Sequence, residues 1–211
     1  MYKTGFVGIV GKPNAGKSSL VNKMVGFKVA ITTPKPQTTR FNIKGIRTTD
    51  TSQIIFIDTP GVHKPKHKLG EYMMQGVSKV VLEADCIVYL VDASKPVLDE
   101  SNKKIMNDIV KAKRKIILAI NKVDSIKKEN ILRIIEEYNK YIESIGYKFE
   151  EIIPISVYKN DGLDILAKAI ENILPECEPI FSEDDITDIT ERDIAEEIIR
   201  EKALSYLDEE I

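Results

Sequence analysis

The sequence predicts a doubly wound α/β fold, with a mostly parallel sheet and helices on both faces. Three observations predict it. Short runs rich in Val and Ile recur along the chain, segments with helical spacing lie between them, and the glycine-rich or polar segments fall where strands end. Parallel strands covered on both faces read as continuous apolar runs rather than alternating ones. Strands that alternate with helices imply right-handed βαβ units.

The elements follow in order. Strands are expected at 5–10 (GFVGIV), 53–57 (QIIFI), 86–91 (CIVYLV), 115–120 (KIILAI) and 152–155 (IIPI). Residues 41–49 face 53–57 across a polar turn and read as an antiparallel hairpin on the sheet. A helix is expected where Leu20, Val21 and Met24 recur. A second carries Ile131, Ile134, Ile135, Tyr138, Tyr141, Ile142 and Ile145, at the spacings of three and four that put side chains on one face. A third carries Leu163, Leu166, Ala167, Ile170, Ile173 and Leu174. PECEP at 175–179 closes the main domain, expected to span 1–175. Thr190 to Asp193 then reads as a capping-box-like helix start, with Asp where Glu or Gln is usual. Ile194, Ile198, Ile199, Leu204, Leu207 and Ile211 form an apolar stripe on this last helix. That stripe either docks on the main domain or opens a second one, and 176–211 is expected to be a linker with an orphan helix that starts a truncated C-terminal domain.

Composition narrows the class. Hydrophobic residues make up 43% and charged residues 30%, which excludes a largely disordered chain. No apolar run approaches the roughly 18 residues that a membrane span needs, and the first residues carry no cleavage site, so a cytoplasmic location is expected. Cys86 and Cys177 form no CxxC pair, which points away from a disulfide framework or zinc site. Residues 182–211 hold 12 acidic and 3 basic residues, and the remainder holds 21 acidic and 28 basic. The mildly basic body is compatible with a polyanionic partner, but charge alone favours the plainer reading of a solvated surface.

The chemistry is concentrated in three motifs. Gly11-Lys12-Pro13-Asn14-Ala15-Gly16-Lys17-Ser18 fits GxxxxGK[ST] between a predicted strand and a predicted helix. Glycines let successive N–H groups turn inward on an anion, and the N-terminus of the following helix adds partial positive charge. Lys17 is expected to bridge terminal phosphates and Ser18 to bind Mg²⁺, with Ser19 beside it. Asp58-Thr59-Pro60-Gly61 ends the 53–57 strand. Asp58 is placed to hold a Mg²⁺ water, and the Gly61 N–H to meet a γ-phosphate. Asn121-Lys122-Val123-Asp124 ends the 115–120 strand, at the edge where parallel sheets bind ligands. The Asp124 carboxylate can accept two hydrogen bonds from guanine N1–H and N2–H₂, a pair that adenine lacks. Asn121 can tie this loop to the phosphate loop, and the Lys122 stem can lie across the base.

GKPNAGKS, DTPG and NKVD together resemble the translation-factor-class P-loop GTPases. TTPKPQTTR at 32–40, VHKP at 62–65 and the tail ITDITERDIAEEIIREKALSYL narrow the resemblance to the Era family, over essentially the whole chain. The resemblance implies Mg²⁺-dependent hydrolysis of GTP to GDP and phosphate, with slow intrinsic turnover. It implies Thr39, with Thr38 as the alternative, as the switch threonine that reaches Mg²⁺ and γ-phosphate. It implies Ser156 and Val157 at the guanine, where Val157 replaces the usual Ala and is expected to crowd the pocket. Asn14 corresponds either to a K⁺ ligand or to a residue that only shapes the loop. The implied partners are 16S rRNA and the 30S ribosomal subunit, with peripheral association at the inner membrane face.

Two departures stand out. Val62 occupies the place where many switch GTPases carry a water-orienting Gln, so no general base is assigned and a non-hydrolytic, nucleotide-gated scaffold remains the alternative. The family's C-terminal KH domain clamps RNA with a GXXG loop, and none occurs after Ser182. A truncated form with weak RNA binding of its own is therefore expected. His63, Lys64, Lys66, His67 and Lys68 read as an RNA-facing patch or a solvated loop, Tyr72 to Met74 and Val77 as helix packing, and Cys86 as a buried apolar group.

Overall fold

A computed structural model of the chain describes residues 1–33, 39, 42–61, 77–95 and 98–206. Six strands form one sheet: β1 (Lys3–Gly11), β2 (Ile43–Thr48), β3 (Ser52–Asp58), β4 (Cys86–Asp92), β5 (Lys115–Asn121) and β6 (Glu151–Pro154). Their order is β2-β3-β1-β4-β5-β6. Only the β2–β3 pair is antiparallel. The order reverses beside β1, which opens a crevice at the carboxyl ends of the strands.

The helices are α1 (Lys17–Val25), α2 (Glu100–Val110), α3 (Lys128–Ser144), α4 (Leu163–Ile173) and α5 (Glu191–Tyr206), and residues 77–83 are also helical. The strand runs are apolar throughout because successive residues enter opposite cores. Cys86, Val88 and Leu90 join Leu20 and Val21 of α1 and Leu166 and Ile170 of α4. Ile87, Tyr89 and Val91 join Ile105 of α2 and Ile134, Tyr138 and Ile142 of α3 on the other face. The stripe expected at 131–145 is thus core-facing. Cys86 is fully buried, and burial pushes its thiol up to about 12.

The chain after α4 is stitched to the sheet. Thr4 N–H donates to Pro175 O at 3.2 Å, and Cys177 N–H to Tyr2 O at 3.1 Å. Gln53, a buried polar residue in an apolar strand, uses its amide to hold the linker. Its oxygen accepts Ile180 N–H at 2.8 Å and Phe181 N–H at 2.9 Å, and its nitrogen donates to Phe181 O at 2.9 Å. Residues 186–187 then lie along the outer edge of β2, where Ile46 N–H donates to Ile186 O at 2.9 Å and Thr187 Oγ1 to Lys44 O at 2.7 Å. An open strand edge invites pairing with other chains, and this segment covers it.

The last helix begins with the expected cap. Thr190 Oγ1 donates to Asp193 Oδ2 at 2.7 Å, and Asp193 N–H returns to Thr190 Oγ1 at 3.3 Å. Its stripe splits between the two outcomes left open by the sequence. Leu204 is buried, while Ile198 and Ile199 are 38% and 68% exposed, so the stripe is covered near the end of the described helix and open in its middle. Leu207 and Ile211 lie outside the described residues.

Candidate functional site

The motifs converge because each ends a neighbouring strand. The β1–β3 register sets Ile9 beside Asp58, and the β4–β5 register sets Asp92 beside Asn121. Gly11 leaves β1 so close to β4 that a Cβ would lie 2.3 Å from Leu90 O. Asn14 (φ 62°) and Gly16 (φ 101°) take left-handed conformations that turn the loop into the start of α1. A cavity of about 340 Å³ opens there, lined by Pro13, Lys17, Ser18, Thr39, Gly61 and Lys122 among others. That volume is in the range of small-molecule sites. Ser19 also lines it. Gly61 approaches the phosphate loop so closely that a Cβ would meet the Pro13 backbone at 2.8 Å.

At the inner end of the cavity three segments meet on one carboxylate. Ser18 Oγ donates to Asp58 Oδ2 at 2.6 Å, Thr39 Oγ1 donates to the same oxygen at 3.3 Å, and the two hydroxyls lie 3.0 Å apart. Thr38, the alternative to Thr39, lies outside the described residues. Asp58 is fully buried, and its Oδ1 has no partner among the described residues. Burial raises the Asp58 carboxyl above the usual range, against Lys17, Ser18 and Thr39, which favour its charged form. Lys17 is buried and donates to Lys12 O at 3.1 Å. Burial lowers its ammonium to about 8, with Asp58 opposing.

A buried carboxylate oxygen left unpartnered is costly unless an ion or a ligand completes it. Two hydroxyls and one carboxylate are hard oxygen donors, the set that Mg²⁺ takes when phosphates and waters supply the rest. No cluster of three His, Cys, Asp or Glu that could hold a metal occurs among the described residues.

A second set builds the outer end. Asn121 is buried, donates through Nδ2 to Ala15 O at 2.9 Å and accepts Val157 N–H at 3.1 Å. It therefore joins the phosphate loop to the segment after β6. Ser156 Oγ donates to Asp124 Oδ1 at 2.6 Å, and Asp124 itself is exposed. Lys122 Nζ donates to Asn14 O at 2.9 Å and to Asp92 Oδ2 at 2.6 Å. Val157 corrects one expectation. Its side chain is buried in the core with Ile155 and Leu166 and does not crowd the pocket, and its N–H is already given to Asn121.

Sequence reasoning missed three contributors. Asp92 ends an apolar strand as Asp58 does, so the same edge rule could have found it. Thr59 Oγ1 donates to Ile9 O at 2.6 Å and pins the DTPG turn to β1. Glu201 accepts Thr32 N–H at 3.0 Å across 169 positions, a separation that leaves no local signal. Val62 and the basic residues 63–68 lie outside the described residues.

A family model described as 50S ribosome-binding GTPase matches residues 6–122. GTPase Era of Ruminiclostridium cellulolyticum is 46% identical over 211 residues, all of this chain and 68% of the relative. The chain belongs to the Era family of GTPases. GTPase Era of Clostridioides difficile is 45% identical, with 69% of its own length covered. A solved structure of Era in complex with MgGDPNP and nucleotides 1506–1542 of 16S ribosomal RNA matches with a TM-score of 0.93 and 41% identity, over 100% of this chain and 70% of that one. A variant of Aquifex aeolicus Era bound to GDP·AlF4⁻ matches with a TM-score of 0.91 and 41% identity, over 99% of this chain and 69% of that one. As an Era-family enzyme the chain hydrolyses GTP to GDP and phosphate. No helix among the described residues is long and apolar enough to cross a membrane.

Proposed function

We propose that the chain is a Mg²⁺-dependent GTP switch that acts on the small ribosomal subunit through its 16S RNA. The observation that carries this reading is the meeting of Ser18, Thr39 and Asp58 at one buried carboxylate. Gly11, Asn14, Ala15, Gly16, Lys17, Ser18 and Ser19 hold the phosphates. Asn121, Lys122, Asp124, Ser156 and Val157 build the guanine pocket, with Val157 acting through Asn121. Ser18 and Thr39 supply hydroxyl ligands for Mg²⁺, and Asp58 holds its water. When bound, the ion neutralises charge on the phosphate oxygens.

The residues of the chain do the rest by position and charge, which is most of what phosphoryl transfer needs. Lys17, with little access to water, presents an ammonium whose field is barely screened. Gly61 lies against the phosphate loop because no Cβ keeps it from Pro13, and its N–H is the group this reading gives to the γ-phosphate. Thr39 belongs to the segment before β2, so its hold on the Ser18–Asp58 pair couples that segment to the occupant of the cavity. Loss of the γ-phosphate weakens that hold and shifts the segment's population. Slow intrinsic turnover is part of this reading, because the sequence has Val62 where many switch GTPases carry a water-orienting Gln. Asn14 is a K⁺ ligand in this reading. We assign 1–175 to the GTPase unit and 176–211 to a linker and the start of a C-terminal KH domain.

Single-turnover phosphate release by the purified chain tests the reading. Release abolished by Lys17→Ala and by Asp58→Asn is expected. Release that survives both substitutions, or none from the unmodified chain with Mg²⁺ and K⁺ present, would sink it. Equal turnover in K⁺ and Na⁺ would remove only the role of Asn14.

A further inference from the structure

Asp92 is the last residue of β4, and the register sets it beside Asn121 at the end of β5. Ala93 N–H donates to Asn121 O at 2.9 Å, so the two strand ends are locked together. The Asp92 carboxylate is divided between two tasks. One oxygen accepts Ser94 N–H at 2.9 Å and Ser94 Oγ at 2.6 Å, and the other accepts Lys122 Nζ at 2.6 Å. The same ammonium donates to Asn14 O at 2.9 Å. Lys122 and Asn14 are both non-glycine residues at positive φ, 65° and 62°. Such backbone persists when surrounding contacts hold it.

The Asp92 side chain is 9% exposed and that of Lys122 is 38% exposed. Burial works against the charge on Asp92, but Lys122 and Ser94 outweigh it and hold the carboxyl below its usual range. An exposed lysine otherwise keeps its rotamers, and its long stem offers no fixed surface. Here two acceptors on two different segments, the end of β4 and the phosphate loop, fix the ammonium end of that stem.

We propose that Asp92 is a positioning residue for purine nucleotide binding: it clamps Lys122 against the Asn14 carbonyl, so that the lysine stem forms a preset wall of the base pocket. The proposal rests on the assignment of Lys122 and Asp124 to that pocket. Preset walls slow ligand release because their ordering does not recur with each binding event. A second reading gives Asp92 only the closing turn of β4 with Ser94. The two differ in whether Asp92 acts through Lys122.

Release of a fluorescent N-methylanthraniloyl-GDP from the full chain distinguishes them. Asp92→Asn is expected to release the nucleotide about tenfold faster, the loss of one charge-assisted hydrogen bond. Lys122→Ala is expected to do at least as much, and the double variant no more than Lys122→Ala alone, because both act through one contact. In Asp92→Asn, which leaves Lys122 itself in place, the single-turnover rate on prebound GTP is expected to fall by less than about twofold, which separates clamping from chemistry. Asp92→Glu, which keeps the charge, is expected to recover part of the effect. Release at the unmodified rate in Asp92→Asn, or effects that multiply in the double variant, would overturn the proposal. A loss of melting temperature in Asp92→Asn with unchanged release would assign the residue to the turn. Unchanged release in both Lys122→Ala and Asp124→Asn would instead bring down the base-pocket assignment itself.

Discussion

Glu201 on α5 accepts the Thr32 backbone N–H at 3.0 Å. Its other oxygen takes the Lys28 ammonium, and the Glu201 side chain is 8% exposed against 46% for Lys28. The last helix is thus fastened to the segment that leads from α1 toward Thr39. Thr32 also lines the cavity.

Glu201→Ala leaves the Thr32 N–H without its acceptor and removes the partner of Lys28. Thr32 is exposed, so water can take up the freed N–H, and a cost of about 0.5–1.5 kcal/mol is expected, the range for one ordinary hydrogen bond. Glu201→Gln keeps the acceptor, loses only a half-exposed ion pair, and is expected to cost less than about 1 kcal/mol. Melting curves of the two variants check the ranking. Burial alone would raise the Glu201 carboxyl, but Lys28 and Thr32 prevail and lower it. An acid with a folded value below its unfolded one contributes fully above the ordinary Glu range and loses that contribution as pH falls through the folded value. The protection of the Thr32 amide against exchange, taken relative to the intrinsic rate at each pH, is expected to fall there.

Nucleotide binding is expected to weaken above about pH 8, the value to which burial lowers Lys17. The free chain there holds Lys17 partly neutral, while bound phosphate favours the ammonium, so binding takes up a proton. Calorimetric titration of GDP in two buffers of different ionisation heat, near pH 8.5, is expected to show that uptake, and Lys17→Met is expected to remove it. Stability of the nucleotide-free chain runs the other way. The unfolded chain keeps this proton up to about 10.4, so the Lys17 contribution rises with pH between the two values.

Gly16→Ala is expected to abolish tight nucleotide binding. Its Cβ would lie 2.5 Å from Asn121 Nδ2, and its φ of 101° is strained for any residue with a side chain. The Asn121–Ala15 tie must then break, which separates the phosphate loop from NKVD. Equilibrium dialysis with GDP checks this.

Ser156→Ala removes the hydroxyl that holds Asp124 at 2.6 Å. GDP affinity is expected to fall about three- to tenfold, the size of one hydrogen bond to a charged group. Asp124→Asn is expected to shift preference from GTP toward XTP, because the amide offers a donor where guanine also donates. Competition between the two nucleotides reads both effects.

The sequence by itself determined the sheet, its order of motifs and the phosphate loop. Those features are local: apolar runs set strands, and a fixed spacing of Gly, Lys and Ser sets the loop. It also determined that Asp58 and Asn121 lie at the carboxyl edge of the sheet, because each ends such a run. Only the tertiary structure decided how the loops hold one another. Asp92 reaches Lys122 through a strand register, Val157 turns into the core instead of the pocket, and Glu201 finds Thr32 from the far end of the chain. Each depends on which side chains the packed sheet brings within 3 Å or so, and hydrogen bonds of that kind leave no periodicity in the residues that make them.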